Sequence, residues 1–169
     1  MSARPTVTAR PPAQRVVPRW LVPTALAWSA LGLVASAYLT YEHLTGSTTL
    51  ACPEGTTVNC AKVTSSQWSS FLGLPVAPLG LLFFVVMLAL CLPSVMHRSS
   101  ARLDALRLGF CGVGLALAIY LLWAELFQIH AICLWCTAVH VLTFLLFVTL
   151  LFGLVLAEPA STRPLDDRD

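Results

Sequence analysis

Apolar residues along this chain do not alternate with polar ones. They gather into four long blocks, at residues 20–44, 74–92, 105–129 and 132–157, each with few charges. A helix needs roughly 20 mainly apolar residues to cross the hydrocarbon core of a bilayer, so each block is long enough to span. The apolar part of the first block exceeds the usual core of a signal peptide, and no clear small-residue cleavage site follows it, so it is read as retained. The pattern predicts an all-α membrane protein: a four-transmembrane-helix bundle over residues 20–157.

Composition agrees with the pattern. The 169 residues are 57% hydrophobic and 11% charged, and mean hydropathy is +0.80. Soluble domains carry about 25% charged residues. With so little charge, the exterior must be apolar too, and the partner expected for it is a lipid bilayer. A net charge of +2 gives no reason to expect nucleic acid as a partner. The placement of the basic residues says more than their number. Arg4, Arg10, Arg15 and Arg19 precede the first block; Arg98, Arg102 and Arg107 are assigned to the loop between the second and third, Arg107 at the very start of the third block; Arg163 and Arg168 follow the fourth. The two remaining connections hold only Lys62. By the positive-inside rule both termini and the middle connection are cytoplasmic, and the other two connections face outward. Residues 1–19, rich in Pro and Arg, are expected to be a disordered cytoplasmic arm, and 158–169 a cytoplasmic tail. The expected location is a cell inner or plasma membrane.

The outer loop, 45–75, has two halves. Gly46, Pro53 and Gly55 make the first irregular. The second mixes Val63, Trp68, Phe71 and Leu72 with serines, which predicts a short interfacial helix over 63–72, stopped by Gly73 and Pro75. Trp68 suits that depth, being apolar in its ring and polar at its N–H.

Topology sorts the six cysteines. Cys52 and Cys60 lie in the outer loop. Cys133-Leu134-Trp135-Cys136 falls at the outer start of the fourth span. Cys91 and Cys111 lie toward the cytoplasm, where buried cysteine serves as a small hydrophobe. Four cysteines in two pairs thus share the side on which disulfides persist. The first turn of a helix, with free N–H groups and a favourable dipole, stabilises a thiolate, the attacking species in disulfide exchange. One pair alone would be a staple; two on one face suggest a relay. Structural disulfides in a non-enzymatic membrane scaffold are the competing reading. A zinc site fits poorly, because Cys52 and Cys60 are too far apart in sequence for usual ligand spacing.

With these features the chain resembles the vitamin K epoxide reductase family in its bacterial branch. The resemblance rests on Cys52…Cys60, Ser65-Ser66-Gln67-Trp68, Gly73-Leu74-Pro75 and Cys133-Leu134-Trp135-Cys136, and covers about residues 25–150. The disulfide bond protein B family, also quinone-linked, carries its C-x-x-C in the first outer loop; here it comes last. The resemblance implies a bundle around a quinone (menaquinone or ubiquinone), with the interfacial segment as a cap. It implies that Cys136 lies against the quinone, that Cys133 pairs with Cys136 and exchanges with Cys60, and that Cys52 meets a thioredoxin-like protein outside the membrane. That partner is expected to be separate, since many bacterial relatives carry it as a fused domain and this sequence stops after the fourth span. The vitamin K-recycling animal members have Tyr where this chain has His140, and an Asn near the region of Val76-Ala77-Pro78, which has none.

Four more residues are candidates for the quinone site. Glu125, ionisable and near the outer end of the third span, is read as a quinone or proton-relay residue or as one reaching headgroup water. His140, one helical turn after Cys136, is read as a donor to a quinone carbonyl or to another helix. Ser66 would bond a quinone or a cysteine, or merely cap a helix. Trp68 completes the set. The activity expected is a quinone-dependent, protein-disulfide-generating oxidoreductase.

Overall fold

The computed structural model describes residues 15–16, 18–46, 51–52, 55, 57–96, 100–156 and 158–159. The expected disorder of the arm and tail therefore lies largely outside the described residues. The chain runs β1 (Arg15–Val16), α1 (Leu21–Thr45), α2 (Cys60–Thr64), a 3-10 turn (Gln67–Ser69), β2 (Ser70–Phe71), β3 (Leu74–Pro75), α3 (Val76–Leu90), α4 (Pro93–Met96), α5 (Ala101–Ala124), a π-helical turn (Glu125–Ile129), α6 (Leu134–Val155) and β4 (Glu158–Pro159).

Three helical stretches are long and apolar enough to cross a membrane: Leu21–Thr45, Ala101–Ile129 and Leu134–Val155. The helix of the second block, α3, is apolar but has only 15 residues. Its start moves from 74 to Val76 because Leu74 and Pro75 are used in a hairpin. β2 and β3 pair antiparallel, Ser70 with Pro75 and Phe71 with Leu74. The two-residue turn between them needs positive φ at both positions, and Leu72 and Gly73 supply 53° and 81°. The expected single helix over 63–72 therefore divides into the end of α2, a 3-10 turn and a hairpin arm. The serine-rich stretch offers side-chain bonds that compete with a continuous helix: Ser65 and Ser66 donate back to the carbonyls of Ala61 and Val63.

Helix α1 packs against both α3 and α6, and α5 packs on α6. The core between them contains Ala25, Phe84, Met87, Leu146 and Leu150. Close approach depends on glycines. A side chain at Gly32 of α1 would strike the Phe84 ring, and one at Gly114 of α5 would strike Phe83. Outside, Leu31, Val113, Phe144 and Phe152 are more than half exposed, as a lipid-facing surface requires. Cys91 and Cys111 are fully buried in the core, in keeping with a packing role.

Arg107 stands elsewhere than the sequence placed it. It is not a loop residue; α5 begins at Ala101, with the Ser100 hydroxyl accepting from the Leu103 N–H, so Arg107 is carried into the helix. Its side chain is 2% exposed. Nε donates to the Leu90 carbonyl at the end of α3 (2.9 Å), Nη2 to the Val95 carbonyl in α4 (3.0 Å) and Nη1 to Asp104 (2.7 Å). A cation is well placed at carbonyls left free by a helix C-terminus. Arg107→Met is expected to lower unfolding stability in detergent by roughly 3 kcal/mol, since it strands Asp104 and two carbonyls. A denaturation midpoint unchanged from the parent would contradict this role for Arg107.

Candidate functional site

The site is built where the loop between α1 and α3 meets the α5–α6 connection. Asn59 caps α2, its side chain accepting from the Lys62 N–H (2.8 Å), which places Cys60 at the first helical position. Backbone bonds then join this loop to the far connection. The Asn59 N–H donates to the Ile132 carbonyl (3.1 Å), and the Ile132 N–H to the Thr57 carbonyl (2.9 Å), forming a parallel bridge of Val58 with Ile132. Lys62 Nζ donates to the Ile129 carbonyl (2.7 Å), satisfying a carbonyl at the end of the π-helical turn.

On the facing side, α5 ends in that π-helical turn and the chain reverses at His130, whose φ of 53° is left-handed. The reversal brings Cys133 to the N-cap of α6. Its sulfur accepts from the Cys136 N–H at 3.3 Å, and its own N–H donates to Glu125 Oε2 at 3.4 Å. Cys136 sits in the first turn, so the two cysteines of the motif have different surroundings.

Cys52, Cys60, Cys133 and Cys136 meet in one cluster with Val63, Ile129, Ala131, Trp68 and Trp135. Cys52 and Cys60 are joined by a disulfide, while Cys133 and Cys136 are free thiols. Cys60 is 1% exposed and Cys133 0%, whereas Cys52 is half-buried. A hydrogen bond from the Cys136 side chain, joined by the Cys136 N–H, holds Cys133 below the ordinary thiol range against the opposing effect of burial. A thiol stabilised as thiolate is a good leaving group in disulfide exchange, and it shares this cluster with a disulfide. No cluster of His, Cys, Asp or Glu suited to a metal occurs among the described residues.

A cavity of about 1050 Å³ opens beside the thiols, between α3 and α5 and under the outer loop. Cys136, Ser66, Trp68, Glu125 and His140 all line it, among mainly apolar neighbours such as Phe83 and Leu121. Glu125 is 3% exposed. His140 Nδ1 is buried without a hydrogen-bond partner among the described residues. Ser66 does not cap the 3-10 turn with its side chain. Trp68 stands edge-on to Tyr120 and Trp123, with ring centroids 5.9 Å away in each case. An apolar chamber with a thiol, a carboxyl group and an unpartnered imidazole on its wall fits a flat apolar ring bearing carbonyls.

Sequence reasoning missed Asn59, Lys62 and Ile132 as parts of this site. Asn59 and Lys62 flank Cys60, which was a usable signal. The backbone role of Ile132 left no trace in its side chain.

The Vitamin K epoxide reductase family matches residues 23–151, more than half of the chain. The chain belongs to that family and is a membrane thiol oxidoreductase.

In the form with both thiols reduced, the pH profile of Cys133 alkylation by a small permeant reagent is expected to have its midpoint below that of a free cysteine, about 8.5. Cys136→Ala, by removing the largest stabilising contact, is expected to move it upward. Peptide mass spectrometry across a pH series reads both, and a Cys133 midpoint at or above the free value would refute the assignment.

Proposed function

We propose that this member of the vitamin K epoxide reductase family draws electrons from a thioredoxin-like dithiol protein outside the membrane and passes them to a membrane quinone, menaquinone or ubiquinone. The observation that carries the reading is the meeting of two cysteine pairs, one disulfide and one dithiol, at the edge of an apolar cavity. A scaffold with structural disulfides gives no account of free thiols against a cavity.

Four spans with both termini in the cytoplasm accommodate this best. In the second block α3 covers 15 residues, about 22 Å at helical rise, and after the break at Cys91 and Leu92 the short α4 carries the chain on to Met96. The pairing of Arg15–Val16 with Glu158–Pro159 brings both flanks of the bundle to one side, as an even number of spans requires. The multi-pass chain then sits in a cell inner or plasma membrane, with its active cysteines on the outer face.

The relay proceeds by thiolate attack on sulfur, each step making one S–S bond and breaking another. A partner thiolate attacks Cys52, the more exposed sulfur of its pair, and Cys60 leaves as a thiolate. The partner's second thiolate then attacks its own linked sulfur and releases Cys52. The Cys60 thiolate attacks Cys133 of an oxidised Cys133–Cys136 pair, and Cys136 leaves. The Cys52 thiolate attacks Cys60, expelling Cys133 and restoring the Cys52–Cys60 disulfide. Two electrons then reside on Cys133 and Cys136, the state of the described structure. Cys133 and Cys136 rejoin by giving up two electrons and two protons, for which a quinone held in the cavity would be the acceptor. Cys136 lines the cavity and would be the thiol that meets that acceptor. Glu125 orients Cys133 through its N–H and lies where a thiol proton must pass. His140 offers its free nitrogen to a carbonyl, and Ser66 and Trp68 form the outer wall.

The test uses a thioredoxin-like protein whose resolving cysteine is replaced, so that its single thiol forms one bond and stops. Mixed with the chain oxidised at both pairs, Cys52–Cys60 and Cys133–Cys136, and quenched by alkylation, it should be linked to Cys52. Mass spectrometry of the joined peptides identifies the site. Linkage to Cys133 or Cys136 would mean that electrons enter at the C-x-x-C directly, and the two-pair relay would be wrong.

A further inference from the structure

The peptide of Ala51, immediately before Cys52, is held at both ends by aromatic side chains. Its N–H donates to the Tyr38 hydroxyl at 3.0 Å, and its carbonyl accepts from Trp135 Nε1 at 3.0 Å. The two rings also pack on each other, with centroids 4.6 Å apart. Tyr38 comes from α1 and Trp135 from the first turn of α6, between Cys133 and Cys136. Elements far apart in sequence thus converge on a single loop peptide.

We propose that Trp135, with Tyr38, is a positioning residue that holds Cys52 in line to resolve the bond between Cys60 and Cys133. The proposal rests on the relay described above. Cys60 keeps its place by its own contacts, through Asn59, Lys62 and the bridge to Ile132. Cys52 is held differently. Its disulfide to Cys60 fixes it in the described form, but that bond is open when Cys52 must act as the attacking thiolate. At that moment the hydrogen-bonded tether among the described residues is the Ala51 clamp. Attack on sulfur requires the incoming thiolate to lie opposite the leaving one, so Cys52 must approach Cys60 from the side away from Cys133. Trp135 is mounted on the same helical turn as Cys133, and it therefore sets Cys52 in register with the bond it breaks. The alternative role for Tyr38 and Trp135 is to anchor the bundle at the membrane surface by their rings alone.

Phenylalanine separates the two roles, because it keeps a ring and removes the polar atom. In Trp135→Phe, turnover of reduced partner by the intact chain should fall by up to roughly tenfold, the scale of one lost hydrogen bond. The Cys60–Cys133 mixed disulfide should accumulate in alkylation-quenched samples at steady state. Tyr38→Phe should shift both readouts the same way. In a Cys52→Ala, Cys60→Ala background fed by a small dithiol, Trp135→Phe should leave the rate unchanged, since no Cys52 remains to position. Wild-type turnover and wild-type amounts of the mixed disulfide in Trp135→Phe would overturn the clamp while leaving the relay standing. So would an equal slowing in the double-alanine background, because the defect would then lie in α6. A parent chain that passes no electrons from partner to quinone would overturn the relay, and the clamp with it.

Discussion

Two backbone hydrogen bonds carry the arrangement of the site. The Asn59 N–H and the Ile132 carbonyl, and the Ile132 N–H and the Thr57 carbonyl, fasten the outer loop to the turn between α5 and α6. The segments they join are about seventy residues apart in sequence, and each carries half of the chemistry. An irregular loop at a membrane surface cannot leave its backbone groups unpaired in apolar surroundings, so pairing and placement are one event. Once the bridge forms, Cys60 and Cys133 fall into a single buried cluster. The Lys62 contact to Ile129 fixes the tilt of α2 on the same turn.

The second constraint is the ending of α5. A helix that stopped at Ala124 in ordinary geometry would leave Glu125 free to turn outward. The π-helical turn and the left-handed His130 instead return the chain across the helix end, and the Ala131 N–H closes on the Glu125 carbonyl. The Glu125 side chain is thereby kept inside, against the Cys133 N–H and the cavity. Wide turns of this kind often occur at functional sites. Here the turn positions a carboxyl group beside a thiol pair and an apolar chamber at once.

Much of this was legible in the sequence. Long apolar blocks gave the helices to within a few residues, because hydrocarbon thickness dictates their length. Cysteine spacing, together with Arg placement, separated Cys91 and Cys111 from the other four, and the structure keeps those two in a different core. Two features were not legible. Arg107, at the start of the third block, was grouped with the loop arginines; only the facing ends of α3 and α4 show why it is buried. The outer loop resisted reading because its order comes from backbone pairing and positive-φ turns at Leu72 and Gly73, which leave little mark on hydrophobic periodicity. Trp135 was hidden for a different reason. It read as spacing between two cysteines, and its role depends on where Ala51 arrives.

The central claim is that electrons from an external dithiol cross the two cysteine pairs to a quinone in the cavity. It is tested most directly by purifying the chain in detergent, supplying a reduced thioredoxin-like protein, and following quinone absorbance together with the partner's thiol content. The account predicts one quinone reduced for each partner disulfide formed, with the flow abolished by loss of Cys136. Partner oxidation without quinone reduction, or quinone reduction that persists in Cys136→Ala, would contradict it.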